Sequence, residues 1–140
     1  RDVTADMLDT YKGEMDEVVY RRCRYVVDEN QRLLDACAAL EKGDYVTFGQ
    51  KMNGSHEGLS RQYEVSCDEL DFLADIGHRT DGVLGARMMG GGFGGCTINL
   101  VRAEAYDGYL AEATDRFAHR FGHAPRVIEV NISQGARRIG

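Results

Sequence analysis

Tryptophan is absent from this 140-residue chain, proline occurs once and cysteine four times. No apolar run approaches the ~20 residues that a membrane-spanning helix needs, so no span is expected. The four cysteines form no CxxC pair, which argues against a zinc site built from them. Cys23 and Cys37 fall on an apolar stripe, where a free thiol behaves as a small hydrophobe. With Cys67 and Cys96 they read as reduced thiols of a cytoplasmic protein rather than as disulfides. An excess of basic charge is missing too. The formal net charge is -6, and no stripe of Lys and Arg interleaves with aromatics. Nucleic acid and anionic membrane surfaces are therefore not expected as partners. The chain opens Arg1-Asp2-Val3-Thr4, with no initiator Met and no short apolar run behind a basic start. It reads as a piece of a longer protein without a signal peptide.

What is present suits one soluble domain over residues 1–140, since 43% of residues are hydrophobic and 29% charged. Thr4 is an N-cap residue for a short first helix. A long amphipathic helix follows, with Val19, Cys23, Val26, Asn30, Leu33, Cys37 and Leu40 on one face at spacings of four and three. That stripe is expected to pack on the domain's own sheet, with Asn30 facing inward. Gly43 would stop the helix and Asp44 would cap the next one. The second long helix runs to about Tyr63, burying Tyr45, Phe48, Met52, Leu59 and Tyr63. Its interior glycines predict a break or a close backbone contact near Gly54. Ser66-Cys67-Asp68-Glu69 reads as a capping box for a third helix with Leu70, Leu73 and Ala74 on its inner face.

After Thr80-Asp81-Gly82 the period changes to two. Val83–Met89, Cys96–Val101 and Arg126–Ile132 read as strands, with a helix through Tyr106, Leu110, Ala113, Phe117 and Phe121 before the last of them. Helices followed by strand, strand, helix and strand predict an α+β fold, with helices packed on one face of a mostly antiparallel sheet.

The most unusual segment is Gly90-Gly91-Gly92-Phe93-Gly94-Gly95, five glycines in six residues between two strands. Such a loop permits positive φ and close approach to a ligand, and its successive N–H groups can form an anion-binding concavity. Composition alone does not separate that reading from a plain hairpin connection. The formal G-x-G-x-x-G match is weak, because a strand and not a helix follows. A Walker loop fails as well, since no Lys-Ser or Lys-Thr comes next. His56 reads as a hydrogen-bonded core residue in preference to a ligand. His78, His119 and His123 lie near element ends and read as solvated. Asp68, Glu69 and Asp71 are expected to complement the dipole of the third helix. No Ser-His-Asp set is evident, and spacing alone leaves Cys–His catalysis open.

Gly85-Ala86-Arg87-Met88-Met89-Gly90-Gly91-Gly92-Phe93-Gly94-Gly95-Cys96-Thr97 resembles the third motif of the GHMP small-molecule kinases in its galactokinase form. Ser55-His56, Tyr63-Glu64-Val65-Ser66-Cys67 and Glu69-Leu70-Asp71 resemble a second galactokinase signature. Val18-Val19-Tyr20-Arg21-Arg22 and Glu29-Asn30 match the family's long helix. The resemblance implies the ferredoxin-like C-terminal domain of a two-domain cytoplasmic enzyme that transfers a phosphoryl group from ATP to galactose with Mg²⁺. On that footing Gly90, Gly91, Gly92, Phe93, Gly94 and Gly95 position ATP and substrate. The catalytic residues and most of the ATP and Mg²⁺ contacts belong to the enzyme's own N-terminal domain, and this chain holds no metal ligands. No Gly-Leu-Ser-Ser-Ser run and no Gly-Glu-His-Thr-Asp segment occurs here. Met89 stands where the family usually has Thr or Ser. An N-acetylgalactosamine or arabinose kinase, a non-catalytic galactose and ATP sensor, and a stand-alone domain with a structural glycine hairpin are the other readings open at this point.

Overall fold

A computed structural model describes residues 2–130 and 135. Helix α1 (Ala5–Tyr11) starts where Thr4 accepts a hydrogen bond from the Met7 amide, and a 3₁₀ turn at Lys12–Glu14 follows. Helix α2 (Glu17–Glu41) is about 38 Å long at 1.5 Å per residue. Asp16 caps it through the Val18 and Val19 amides. Gly43, at φ 69°, closes its end, and Asp44 then accepts from the Thr47 amide to start α3 (Tyr45–Arg61). Among the described residues no helix is long and apolar enough to cross a membrane.

The period expected for α2 is present but its phase differs. Tyr25, Glu29, Arg32, Ala36 and Ala39 face α3, each one residue before the expected series and therefore about 100° around the helix. Val19, Val26, Leu33 and Leu40 are exposed, Leu33 by 63%, and so is Asn30. Small residues decide the phase, because Ala36, Ala39 and the facing Gly58 let the two helices approach closely. The contact is thus made with α3 and not with the sheet. Helix α3 buries Gly49, Ser55, His56 and Gly58, while Tyr45 and Tyr63 are exposed. It runs unbroken through Gly54. The close backbone contact occurs five residues earlier, at Gly49.

Helix α4 (Asp68–Arg79) begins after Cys67, and the expected capping box does not form. The helix takes Cys67 as its N-cap, one residue later than the box requires, and the Ser66 hydroxyl donates to Asp71 at 2.5 Å. Leu70, Ala74 and Ile76 are buried on its inner face. Strands β1 (Val83–Met89) and β2 (Cys96–Val101) pair antiparallel, from Met89 opposite Cys96 to Val83 opposite Val101, with an irregularity at Leu84. Both strands lie where the period of two placed them. Helix α5 (Tyr106–Phe121) ends at Gly122, which has φ 78°.

The core lies between α4, α5 and the inward face of the hairpin. Ile76, Tyr109 and Ala113 pack with Phe72, Leu73, Val83 and Val101, and Ala86 and Met88 are fully buried. Each large apolar side chain buried this way contributes about 1.5–3 kcal/mol. Burial also pushes the Tyr109 hydroxyl up to about 12. Met89 and Ile98 remain exposed on the opposite face, as an α+β sheet with helices on one side requires.

Residues 126–130 form no strand, contrary to the alternation of Val127, Glu129 and their neighbours. A strand exists only if its backbone finds a ladder partner, and this segment runs exposed beside α5 and β2 without pairing. Asn131 and Ile132, the rest of that expected strand, lie outside the described residues.

Candidate functional site

The glycine loop connects β1 to β2 and turns through positive φ at Gly90 (89°), Gly92 (85°), Phe93 (60°), Gly94 (131°) and Gly95 (100°). Its back is fastened. The Phe93 amide donates to the Val65 carbonyl at 2.7 Å, and a Cβ on Gly92 would collide with that same carbonyl. Its front is bare. A Cβ added to Gly90, Gly91 or Gly94 would meet nothing within 4 Å, and Phe93 is 77% exposed. Among the described residues, the amides of Gly91, Gly92 and Gly94 have no hydrogen-bond acceptor. Free N–H groups on a chain that alternates handedness suit an oxyanion such as a phosphate. Phe93 and Gly94 also line a groove of about 850 Å³ shared with β2 and the facing sides of α4 and α5.

The loop's anchor is itself held in place. Val65 follows Glu64, a non-glycine residue at φ 62°, a conformation that costs on the order of 1 kcal/mol. The Glu64 carboxylate bonds Arg21 at 2.7 Å and Arg22 at 3.1 Å, and these two guanidiniums lower its pKa. The Val65 amide donates back to Leu59 in α3.

The second support acts on β1. Among the described residues the outer edge of this strand faces no other strand, and side chains satisfy it instead. Asn53 accepts the Ala86 amide at 2.8 Å, His78 Nε2 donates to the Ala86 carbonyl at 2.8 Å, and His56 Nδ1 accepts the Met88 amide at 3.1 Å. His56 therefore carries its proton on Nε2 and directs it at Asp71, 3.2 Å away. Asp71 also accepts the hydroxyls of Ser60 (2.8 Å) and Ser66 (2.5 Å). Burial lowers the pKa of His56, outweighing the attraction of Asp71.

The expected core role of His56 is what the structure shows. His78 is exposed, as its position suggested, and one of its ring nitrogens nonetheless bonds β1. Asp71 is the residue whose part was missed. It reads as a dipole partner in sequence, yet it is the common acceptor for three donors. The signal available was the convergence of Ser55-His56, Ser66 and Asp71 in one signature, which local helix rules do not interpret. Met89 is half-exposed on the open face of β1, one residue before the loop.

All four cysteines are unpaired. Among the described residues no group of three or more His, Cys, Asp or Glu is arranged to hold a metal ion.

Comparison with known proteins gives this geometry a context. The family described as GHMP kinases C terminal matches residues 36–118, more than half of the chain. A galactokinase of Clostridium beijerinckii is 41% identical over 125 residues, covering 89% of this chain and 32% of that protein. A galactokinase of Thermotoga maritima is 38% identical over 139 residues, covering 99% of this chain and 39% of that protein. The crystal structure of Lactococcus lactis galactokinase complexed with galactose superposes with a TM-score of 0.83 at 35% identity, over 88% of this chain and 32% of that one. The chain thus spans about a third of the length of the relatives it matches.

Proposed function

The chain belongs to the GHMP kinases as their C-terminal domain, and on that premise we propose that it is the C-terminal part of a galactokinase. In the intact two-domain enzyme the γ-phosphoryl group of ATP passes to the anomeric hydroxyl of galactose. One observation carries the reading: the glycine loop is anchored behind by Val65 and His56, yet bare in front, with amides free to meet a phosphate oxygen.

This chain's contribution is positional. Phosphoryl transfer involves little covalent chemistry for a protein to perform, so it depends on holding the groups in line and placing donors on the developing charge. The amides of Gly91, Gly92 and Gly94 supply such donors without side chains that would intrude. Mg²⁺ neutralises phosphate charge when bound, and the described residues present no carboxylate set suited to it, so no part of its coordination is assigned to them. The catalytic groups and the sugar contacts belong to the N-terminal domain of the intact enzyme. A cytoplasmic location fits four unpaired thiols.

Gly91 provides the test. It does not need a positive φ, and a methyl group there touches nothing in this chain. In the intact protein, Gly91→Ala is expected to leave the melting temperature unchanged and to lower galactose-dependent ADP production by up to about 100-fold, the scale set by a misplacement of about 1 Å. Gly94→Val should lower turnover as well, here with a lower melting temperature, because Gly94 has φ 131°, a backbone conformation that a β-branched residue resists. Wild-type turnover in both would remove the loop from the site. Equal turnover with arabinose or N-acetylgalactosamine would redirect the substrate assignment. Binding of galactose and ATP without turnover would make the protein a sensor.

A further inference from the structure

One carboxylate ties together both supports of the glycine loop. Through His56, Asp71 reaches the amide of Met88, two residues before Gly90. Through the Ser66 hydroxyl it holds the residue next to Val65, whose carbonyl grips Phe93. We propose that His56 and Asp71 are a pair of positioning residues for the glycine loop, and that the loop keeps its shape only while His56 is neutral with its proton on Nε2. The proposal rests on the galactokinase reading for its consequence in catalysis, but not for its geometry.

The chemistry is a matter of donors and acceptors. A backbone N–H needs an acceptor, and Nδ1 is one only in the neutral ring. Protonation places a hydrogen on Nδ1 that faces the Met88 N–H, so two donors oppose each other inside a fully buried part of β1. The end of β1 must then shift, and the loop moves with it.

Charged groups approach His56 from each element around it. Asp71 on α4 and Glu57 on α3 favour the imidazolium. His78 on α4, whose ring lies 5.9 Å away, and Arg87 on β1 oppose it. On the open side, Asp68, Asp75, Arg61 and Arg120 line a small cavity of about 290 Å³ shared with His56. Burial outweighs the acidic neighbours, so the ring stays neutral to a pH below its ordinary 6.5.

The experiment compares His56→Ala, His56→Asn and Asp71→Asn in the intact protein, with kcat, the KM for ATP and the pH profile of kcat/KM as readouts. Asn places an oxygen near the position of Nδ1 and does not titrate. The Ala variant is expected to lose about 10- to 100-fold in kcat/KM for ATP. The Asn variant should recover most of that loss and remove the fall in activity on the acid side that belongs to His56. Asp71→Asn takes away a charge that favours the imidazolium, so the acid limb should move to lower pH. Equal losses in the Ala and Asn variants, or an unchanged acid limb in His56→Asn, would overturn the proposal. A ¹⁵N spectrum of the intact protein, labelled at His and Gly, reads the geometry without turnover. It should show Nδ1 unprotonated and the Gly90–Gly95 amides shifting as His56 titrates. A proton on Nδ1, or glycine signals indifferent to that titration, would refute the pair. If the wild-type protein phosphorylates no sugar, the galactokinase reading fails while this spectrum still decides the proposal.

Discussion

Two glycines side by side in the loop have different jobs. Gly92 has φ 85° and its missing side chain makes room for the Val65 carbonyl, so it serves the fold. Gly91 has ordinary φ and open space before it, so it serves whatever approaches from outside. Gly92→Ala is accordingly expected to cost about 1–3 kcal/mol through strain and collision, whereas Gly91→Ala should cost less than about 0.5 kcal/mol. Thermal unfolding of the two variants checks the contrast, and equal melting temperatures would contradict it. Phe93 belongs to the same account: it tolerates φ 60° because its amide is held by Val65. Composition made this loop visible from the start. It could not distinguish the glycine needed for fastening from the one left bare, because that difference depends on Val65, which lies 27 residues before Gly92.

At the level of elements, the contact that positions β1 is the crossing of α3 at Gly49 and Gly85. A Cβ on Gly85 would lie 2.6 Å from the Gly49 carbonyl oxygen, and one on Gly49 would strike the Leu84 carbonyl. Helix backbone and strand backbone therefore touch, and this proximity lets Asn53 and His56, further along α3, reach the amides of Ala86 and Met88. Gly49→Ala should improve helix propensity by about 1 kcal/mol and still destabilise the protein by about 2–4 kcal/mol, because the obstacle is backbone that cannot rotate away. A raised melting temperature in that variant would show the crossing to be looser than described. The glycines of α3 pointed to a close backbone contact, but propensity identified only its cost and not which glycine made it.

For the whole molecule, activity and architecture separate. The chain covers about a third of its galactokinase relatives, and its described residues supply loop amides and their supports without a metal-binding cluster. ATP and galactose mixed with this chain alone are expected to yield no ADP, while the intact protein yields ADP at a rate dependent on galactose. A coupled assay decides this, and turnover by the chain alone would show that a catalytic group within it has been overlooked.

Features set by neighbours in the chain were legible in advance. The extents of β1 and β2, the caps at Thr4 and Asp44, the stops at Gly43 and Gly122 and the α+β order follow from local period and capping chemistry, which need no distant partner. The glycine loop and the family likeness were visible on the same terms. What the tertiary structure decided involves segments far apart. The face that α2 turns inward depends on whether Gly58 admits Tyr25, and the role of Asp71 depends on which donors the fold delivers to it. The lack of a strand at 126–130 depends on a ladder partner, not on alternation. A periodic pattern states how often a side chain turns inward, but only packing settles which one, since the close approach of two backbones can outweigh the burial of larger side chains.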